Sequence, residues 1–274
     1  MKLPFSKLNG IGNNFIMMND LDGNVSGSVD VDRLTRQVCD VAFGVGADGL
    51  ILVRPGTDNE FRMSIYNSDG SESEMCGNGI RCMVRFLEEE NISRKQTLTI
   101  DTLAGPIVVS RKSDGLMEVD MGTPAFHTAD VVAEPAGGHV TLDVGGFPFT
   151  FVSMGNPHAV TFVDAFDFDW KKVGASVEME TAVFPNRTNV EFARVDGNRE
   201  MTMKVWERGC GETMACGTGT CAMVVAAVHT GRMTEGDVLV HLPGGDLSIQ
   251  YFRGQRVRMT GPAVTVCKGV YNYE

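Results

Sequence analysis

Basic residues are scarce in this chain. There are 24 Lys and Arg against 35 Asp and Glu, a formal net charge of −11 over 274 residues. Nucleic acids and anionic membrane surfaces both reward clustered positive charge, so this balance argues against either as a partner. Long apolar runs are missing too. The longest strongly apolar stretch, 222–228, is far too short to span a bilayer. The opening Met1-Lys2-Leu3-Pro4-Phe5 has no apolar core of signal-peptide length. Seven cysteines is an odd number, and their spacing fits neither a disulfide framework nor a zinc site. These absences predict a reduced, cytoplasmic protein that binds no metal. The rest of the composition, 43% hydrophobic and 22% charged, is that of a globular protein.

Two segments look alike although about half the chain separates them: Cys76-Gly77-Asn78-Gly79 and Cys216-Gly217-Thr218-Gly219. Each sets a thiol before a glycine turn, and each turn opens an apolar run of helical character. A helix start leaves backbone N–H groups without helical partners and carries partial positive charge. It therefore attracts anions and favours ionisation of a cysteine. Two such arrangements predict two thiols facing one small carboxylate. The likeness extends upstream: Tyr66-Asn67 precedes Cys76 as Trp206-Glu207 precedes Cys216, and Glu72 matches Glu212. Phe43-Gly44-Val45-Gly46-Ala47-Asp48 aligns with Phe184-Pro185-Asn186-Arg187-Thr188-Asn189, and Gly12-Asn13-Asn14-Phe15 with Gly155-Asn156-Pro157-His158. Four landmarks in one order predict a duplicated domain. The length suits two halves of about 130 residues, each with its own core.

Apolar spacing predicts a helix over 31–42, capped by Asp30, with Leu34, Val38 and Val41 on one face and Gly44 closing it. A second helix over 80–90 points Ile80, Met83, Val84 and Leu87 inward. A third, 220–229, is apolar all round and so is expected to be buried. Strands are expected at 15–19, 50–53, 61–66, 116–120, 147–152, 159–163, 201–205, 238–242 and 256–260. Each half reads as a strand-rich α/β unit, a sheet wrapped on its Cys-bearing helix, with the crossover at 121–124.

In this order, the segments resemble the diaminopimelate epimerase family over nearly the whole chain. The resemblance rests on Gly12-Asn13-Asn14-Phe15, Tyr66-Asn67-Ser68-Asp69-Gly70, Cys76-Gly77-Asn78-Gly79-Ile80-Arg81-Cys82 and Met154-Gly155-Asn156-Pro157-His158. It continues through Glu207-Arg208-Gly209, Gly211-Glu212-Thr213, Ala215-Cys216-Gly217-Thr218-Gly219, Leu242-Pro243-Gly244-Gly245 and Thr260-Gly261-Pro262-Ala263-Val264. It implies an α/β (α+β) fold of two pseudo-symmetric domains, each a mostly antiparallel sheet around a central helix, with the active site between them. The expected halves are 1–123, joined by a returning tail 264–274, and 124–263. The implied activity is a cofactor-independent interconversion of L,L- and meso-diaminopimelate, on the way to lysine and peptidoglycan, by an enzyme that pairs as a homodimer.

Residue chemistry leads to the same reaction. Inverting a carbon means removing a proton from one face and supplying one to the other. Cysteine suits both tasks, because thiol and thiolate coexist within reach of neutral pH. Cys76 and Cys216 would alternate as base and acid, while backbone N–H groups of Gly77, Asn78, Gly217 and Thr218 stabilise charge developing on the substrate carboxylate. By resemblance, His158 and Glu207 assist the thiols. The distal amino-acid head is read by Asn13, Asn67, Asn156, Asn189, Glu207 and Arg208, with Arg208 the two-pronged partner of its carboxylate. Two positions depart from the family: Asn14 stands where aspartate is usual, and Gly49 where some members place a substrate-contacting glutamine. The remaining cysteines, Cys39, Cys82, Cys210, Cys221 and Cys267, read as buried packing. His127, His139, His229 and His241 read as structural. Two rival readings stay open: a cofactor-free racemase for proline, hydroxyproline or histidine, against which Glu207-Arg208 argues, and a thiol redox or metal-binding protein, which would want CxxC spacing or clustered ligands.

Overall fold

The computed structural model describes residues 1–126, 130, 140–144 and 146–274; His127 and His139 lie outside the described residues. The chain forms two compact units, one of Met1–Val119 with Gly261–Glu274 and one of Asp120–Thr260.

The first unit carries β1 (Lys2–Gly10), β2 (Asn13–Asn19), α1 (Val31–Cys39), β3 (Gly49–Pro55), β4 (Phe61–Asn67), β5 (Glu72–Ser73), α2 (Gly77–Glu89), β6 (Thr97–Thr102) and β7 (Gly105–Arg111). β8 (Met117–Gly122) leads into the second unit. There follow β9 (Val140–Val144), β10 (Phe147–Ser153), β11 (Pro157–Phe162), α3 (Trp170–Glu178), β12 (Asn189–Gly197), β13 (Glu200–Glu207), β14 (Gly211–Glu212), α4 (Gly217–His229), β15 (Gly236–Leu242), β16 (Gly245–Tyr251) and β17 (Val257–Gly261). The chain ends with β18 (Val264–Asn272), which returns to the first unit and pairs antiparallel with β1.

The two units repeat one pairing scheme. In the first, β18, β1 and β2 are antiparallel neighbours, β2 is parallel to β3, β3 antiparallel to β4, β4 parallel to β6, and β6, β7 and β8 antiparallel again. In the second, β9 to β11, β12, β13, β15 and β16 to β17 follow the same alternation. β18 therefore fills beside β1 the place that β9 fills beside β10. Parallel neighbours need a crossover of a dozen or more residues, and α1, α2, α3 and α4 lie in those crossovers. Glu72 faces Tyr66 as Glu212 faces Trp206, so the short β5 and β14 match in register.

Register corrects one of the sequence landmarks. Gly49 lies opposite Phe15, and Asn189 lies opposite His158. Gly49, not Asp48, is thus the counterpart of Asn189, one residue from the alignment expected of the sequence.

Each Cys-bearing helix packs on its own sheet, α2 on β1, β2, β3, β4, β7 and β18, and α4 on β10, β11, β12 and β16. α4 is buried from Thr220 to Val228, as its all-round apolar character predicts. Each Val withdrawn from water there stabilises the fold by about 1.5–3 kcal/mol. Helix α1 is shorter than expected. Asp40 leaves helical geometry, and its Oδ1 accepts from the N–H groups of Ala42 and Phe43 at 2.7 and 2.8 Å. This turn throws Val41 outward, 91% exposed, instead of onto the core face beside Leu34 and Val38. Cys39, Cys82 and Cys221 are buried as expected, but Cys210 and Cys267 are exposed. Both sit where the backbone meets solvent, one in the turn after β13 and one on β18. No helix among the described residues is long and apolar enough to cross a membrane.

Candidate active site

Cys76 and Cys216 are the N-caps of α2 and α4, both in extended backbone geometry with the helix starting at the following glycine. Each residue's carbonyl accepts the first helical hydrogen bond, from Ile80 and Thr220, at 2.9 Å. The thiols therefore stand at the positive ends of two thirteen-residue helices.

Around Cys76, Sγ accepts from the Gly79 N–H at 3.5 Å and donates to Asn13 Oδ1 at 3.8 Å. Asn78 Nδ2 donates to the same oxygen at 3.4 Å. Asn13 Nδ2 is held by Asp48 Oδ2 at 2.9 Å, which also accepts from the Asn14 N–H at 2.6 Å. Behind them, the buried Arg81 guanidinium donates to Asn78 Oδ1, the Gly77 carbonyl and the Pro262 carbonyl at 3.0, 3.1 and 3.2 Å. Asn78 is thus gripped from both ends and fixes the turn that carries the thiol. Asn67 is exposed at the end of β4, its amide donating to Ser71 Oγ at 3.0 Å.

Around Cys216 the partners differ. Thr218 Oγ1 lies 3.6 Å from Sγ and accepts from Asn156 Nδ2 at 3.3 Å. Asn156 Oδ1 faces His158 Nε2 at 3.0 Å, and His158 Nδ1 meets Glu191 Oε1 at 2.7 Å. His158 and Glu191 are fully buried. Glu207 acts electrostatically on Cys216 and accepts from Thr213 Oγ1 at 2.5 Å. Burial, followed by the Glu207 and Glu191 carboxylates, pushes the Cys216 thiol well above its ordinary range. Burial likewise raises Glu207. In this setting Cys216 rests as a thiol. Both amide groups of Asn189 are engaged: Nδ2 donates to the Pro157 carbonyl at 2.8 Å, and Oδ1 accepts from the Arg208 N–H at 3.0 Å. Asn189 thereby sets the backbone from which the exposed Arg208 side chain projects, with Nη1 donating to the Asn186 carbonyl at 3.2 Å.

The structure brings Asn13 and Asn78 to Cys76. It brings Asn156, His158, Glu207 and Thr218 to Cys216, and Asn189 to Arg208. Sequence reasoning missed Asp48, Arg81 and Glu191. For Glu191 a signal existed, a carboxylate in the middle of the apolar run Val190-Glu191-Phe192-Ala193, which has to be paired if it is buried. The departure at Gly49 also has a physical reason. A Cβ there would lie 2.6 Å from the Tyr66 carbonyl, so this backbone has no room for a side chain. Among the described residues, no group of three or more His, Cys, Asp or Glu is placed to hold a metal ion.

Comparison with known proteins identifies the family. The family model of diaminopimelate epimerase matches residues 5–127 and 150–266. Diaminopimelate epimerase of Desulfitobacterium hafniense is 47% identical over 96% of both chains. That of Halothermothrix orenii is 44% identical over 98% of both, and that of Carboxydothermus hydrogenoformans is 43% identical over 98% of this chain and 99% of its own. Among solved structures, a Bacillus anthracis protein of the PhzF phenazine-biosynthesis family superposes with TM-score 0.73 at 17% identity, covering all of both chains. A hydroxyproline epimerase from Agrobacterium vitis superposes with TM-score 0.68 at 15% identity, covering 98% and 91%. These remote neighbours share the fold, whereas the identity of 43–47% over nearly full length carries more. By that measure, the chain belongs to the diaminopimelate epimerase family.

Proposed function

We propose that this protein interconverts L,L- and meso-diaminopimelate without a cofactor, in the cytoplasm, with Cys76 and Cys216 working on opposite faces of one carbon. One observation carries this reading: each unit presents a cysteine as the N-cap of its buried central helix. The thiolate on one face takes the α-proton, and the thiol on the other delivers its own. Negative charge that develops on the substrate carboxylate meets the N–H groups of Gly77, Asn78, Gly217 and Thr218 and two helix dipoles. Glu207, whose charge acts on Cys216, and His158 assist the second thiol. Incubating pure protein with L,L-diaminopimelate and a panel of amino acids, then resolving the stereoisomers, tests the reading. Inversion of proline or hydroxyproline in preference to diaminopimelate would replace it with the rival racemase activity.

Arg208 is the clamp for the distal carboxylate, supported by Asn67, Asn156 and Asn189. Lysine keeps the charge and loses the two-pronged match. For Arg208→Lys we expect KM for diaminopimelate to rise about tenfold, the worth of one charge-assisted hydrogen bond of about 1.5 kcal/mol, with kcat changed less. Steady-state kinetics that leave KM unmoved would remove Arg208 from this role.

The homodimer expected from the sequence has a candidate surface on the first unit. Among the described residues β18 is paired on one side only, to β1. Its outward face presents Val264, Val266 and Val270, each more than half exposed. Beside Val270 an open groove of about 580 Å³ is lined by Arg36, Phe43 and Tyr271, with Phe43 94% exposed. An apolar open edge is what a second copy covers by pairing. Light scattering should give twice the chain mass for the parent, and the single-chain mass for Val270→Glu.

A further inference from the structure

Glu191 has no place in the chemistry above, yet its burial is hard to explain by packing alone. It sits on β12, fully buried, with Oε1 2.7 Å from His158 Nδ1 and Oε2 without a hydrogen-bond partner among the described residues. A buried carboxylate with an orphaned oxygen costs the fold more than an apolar side chain of equal size would. Gly219 makes room for it, since a Cβ there would lie 2.5 Å from Glu191 Oε1.

The contacts from Glu191 run in one direction. Ionised, Glu191 only accepts, so His158 Nδ1 has to donate to it. His158 Nε2 faces a carbonyl-type oxygen, Asn156 Oδ1, at 3.0 Å and so also has to carry a proton. Asn156 Nδ2 then donates to Thr218 Oγ1, which leaves the Thr218 hydroxyl proton free to point at Cys216 Sγ. From His158 Nε2 onward, each donor in this chain of groups is aimed toward the sulfur.

We infer that Glu191 is a positioning residue which, through His158, Asn156 and Thr218, holds a hydrogen-bond donor on the Cys216 thiolate. The inference rests on the two-thiol reading and adds the device by which the more deeply buried thiol can ionise at all. Two other ionisable groups face the pair, Glu207 from β13 and Cys216 itself from α4. Both are acidic, and the Glu207 and Glu191 charges oppose a Cys216 thiolate. Burial raises the Glu191 carboxyl, and the His158 imidazole opposes that rise. What the pair passes to Cys216 beyond the Glu191 charge is donor direction.

Glu191→Leu tests this. Leucine offers no acceptor to His158 Nδ1, so the ring loses the contact that fixes it and Nε2 is no longer held against Asn156 Oδ1. The experiment is alkylation of the intact protein by iodoacetamide across pH, read separately at Cys216 and Cys76 by peptide mass spectrometry. No substrate is present, so failure of this inference is distinct from failure of the proposed reaction. Alkylation of Cys216 should slow about tenfold at a given pH, equivalent to about one pH unit, with the Cys76 curve unchanged. General loosening of the structure would speed Cys216 alkylation instead. An unchanged or faster Cys216 curve overturns the inference. A second measurement needs no variant: in ¹⁵N-histidine-labelled parent protein, His158 Nε2 should carry a proton at neutral pH. An unprotonated Nε2 overturns the inference equally.

Discussion

In deuterium oxide, meso product formed at low conversion from the L,L isomer should carry deuterium at the inverted carbon, while the remaining L,L substrate stays largely unlabelled. The asymmetry follows from the proposed division of labour between the thiols. The thiol that has taken the substrate proton holds hydrogen on one face, and the other delivers a solvent-derived deuteron to the opposite face. A single base serving both faces would return deuterium to both pools. Cys76→Ala and Cys216→Ala should each lose inversion by at least the factor of about 10²–10⁴ that a positioned acid or base contributes. Each variant keeps one thiol and with it exchange on one face. Mass spectrometry of both isomers at early times decides the matter. Equal labelling from the first points, or an unimpaired Cys216→Ala enzyme, would rule out one thiol per face.

The environments of the two cysteines suggest that they are not interchangeable. Cys76 ends a chain of contacts that leads through Asn13 and Asn78 to the buried cation of Arg81. Cys216 lies against buried carboxylates that push its thiol upward. Cys216 is therefore held as a resting acid. Two helices with the same start have been given opposite electrostatic backing.

That difference is also where the sequence stops being legible. The thiols could be read because a Cys-Gly-x-Gly turn before an apolar run has few other uses, and because it occurs twice. α4 could be read because 220–229 has no polar face to offer solvent. α3 could not: Lys171 and Lys172 dilute its apolar spacing, and its contact residue is Gly174, whose missing side chain lets Trp206 lie against the helix. β1 was hidden by Pro4, tolerated there inside a paired strand, and β18 by valines that face outward. The end of α1 was misread because Val41 continues the apolar spacing while Asp40 caps the backbone away from it. Arg81, Asp48 and Glu191 escaped for a common reason. A charged residue in a sequence looks solvated until the fold shows that it is buried or spent on a neighbour. The strand register that moves Gly49 into the place of Asn189 is likewise fixed by pairing across the sheet, which a linear alignment of two halves does not contain.

The paired glycines Gly79 and Gly219 should respond unequally to the same substitution. Each lies in the first turn of its helix, where alanine is intrinsically the better residue by about 1 kcal/mol. At Gly79 the added methyl would meet Ile51 Cδ1 at 2.9 Å and Ile65 Cδ1 at 3.4 Å, ends of apolar side chains that can turn aside. At Gly219 it would meet Glu191 Oε1 at 2.5 Å and Cys216 Sγ at 3.2 Å. Neither can yield freely, since Glu191 is bonded to His158 inside a closed core and Cys216, the proposed reacting group, is itself buried. Overpacking of this kind costs about 1–3 kcal/mol, and here it also drives the carboxylate off the imidazole. Gly79→Ala should therefore keep most of its stability and a measurable part of its activity. Gly219→Ala should lose stability by about 1–3 kcal/mol and activity by about 10²-fold or more, the scale of a displaced acid–base group. Thermal unfolding and initial rates of the two variants, measured side by side, give the comparison. Equal losses would mean that the room beside Gly219 serves packing alone and that the close approach of Glu191 has no part in the reaction.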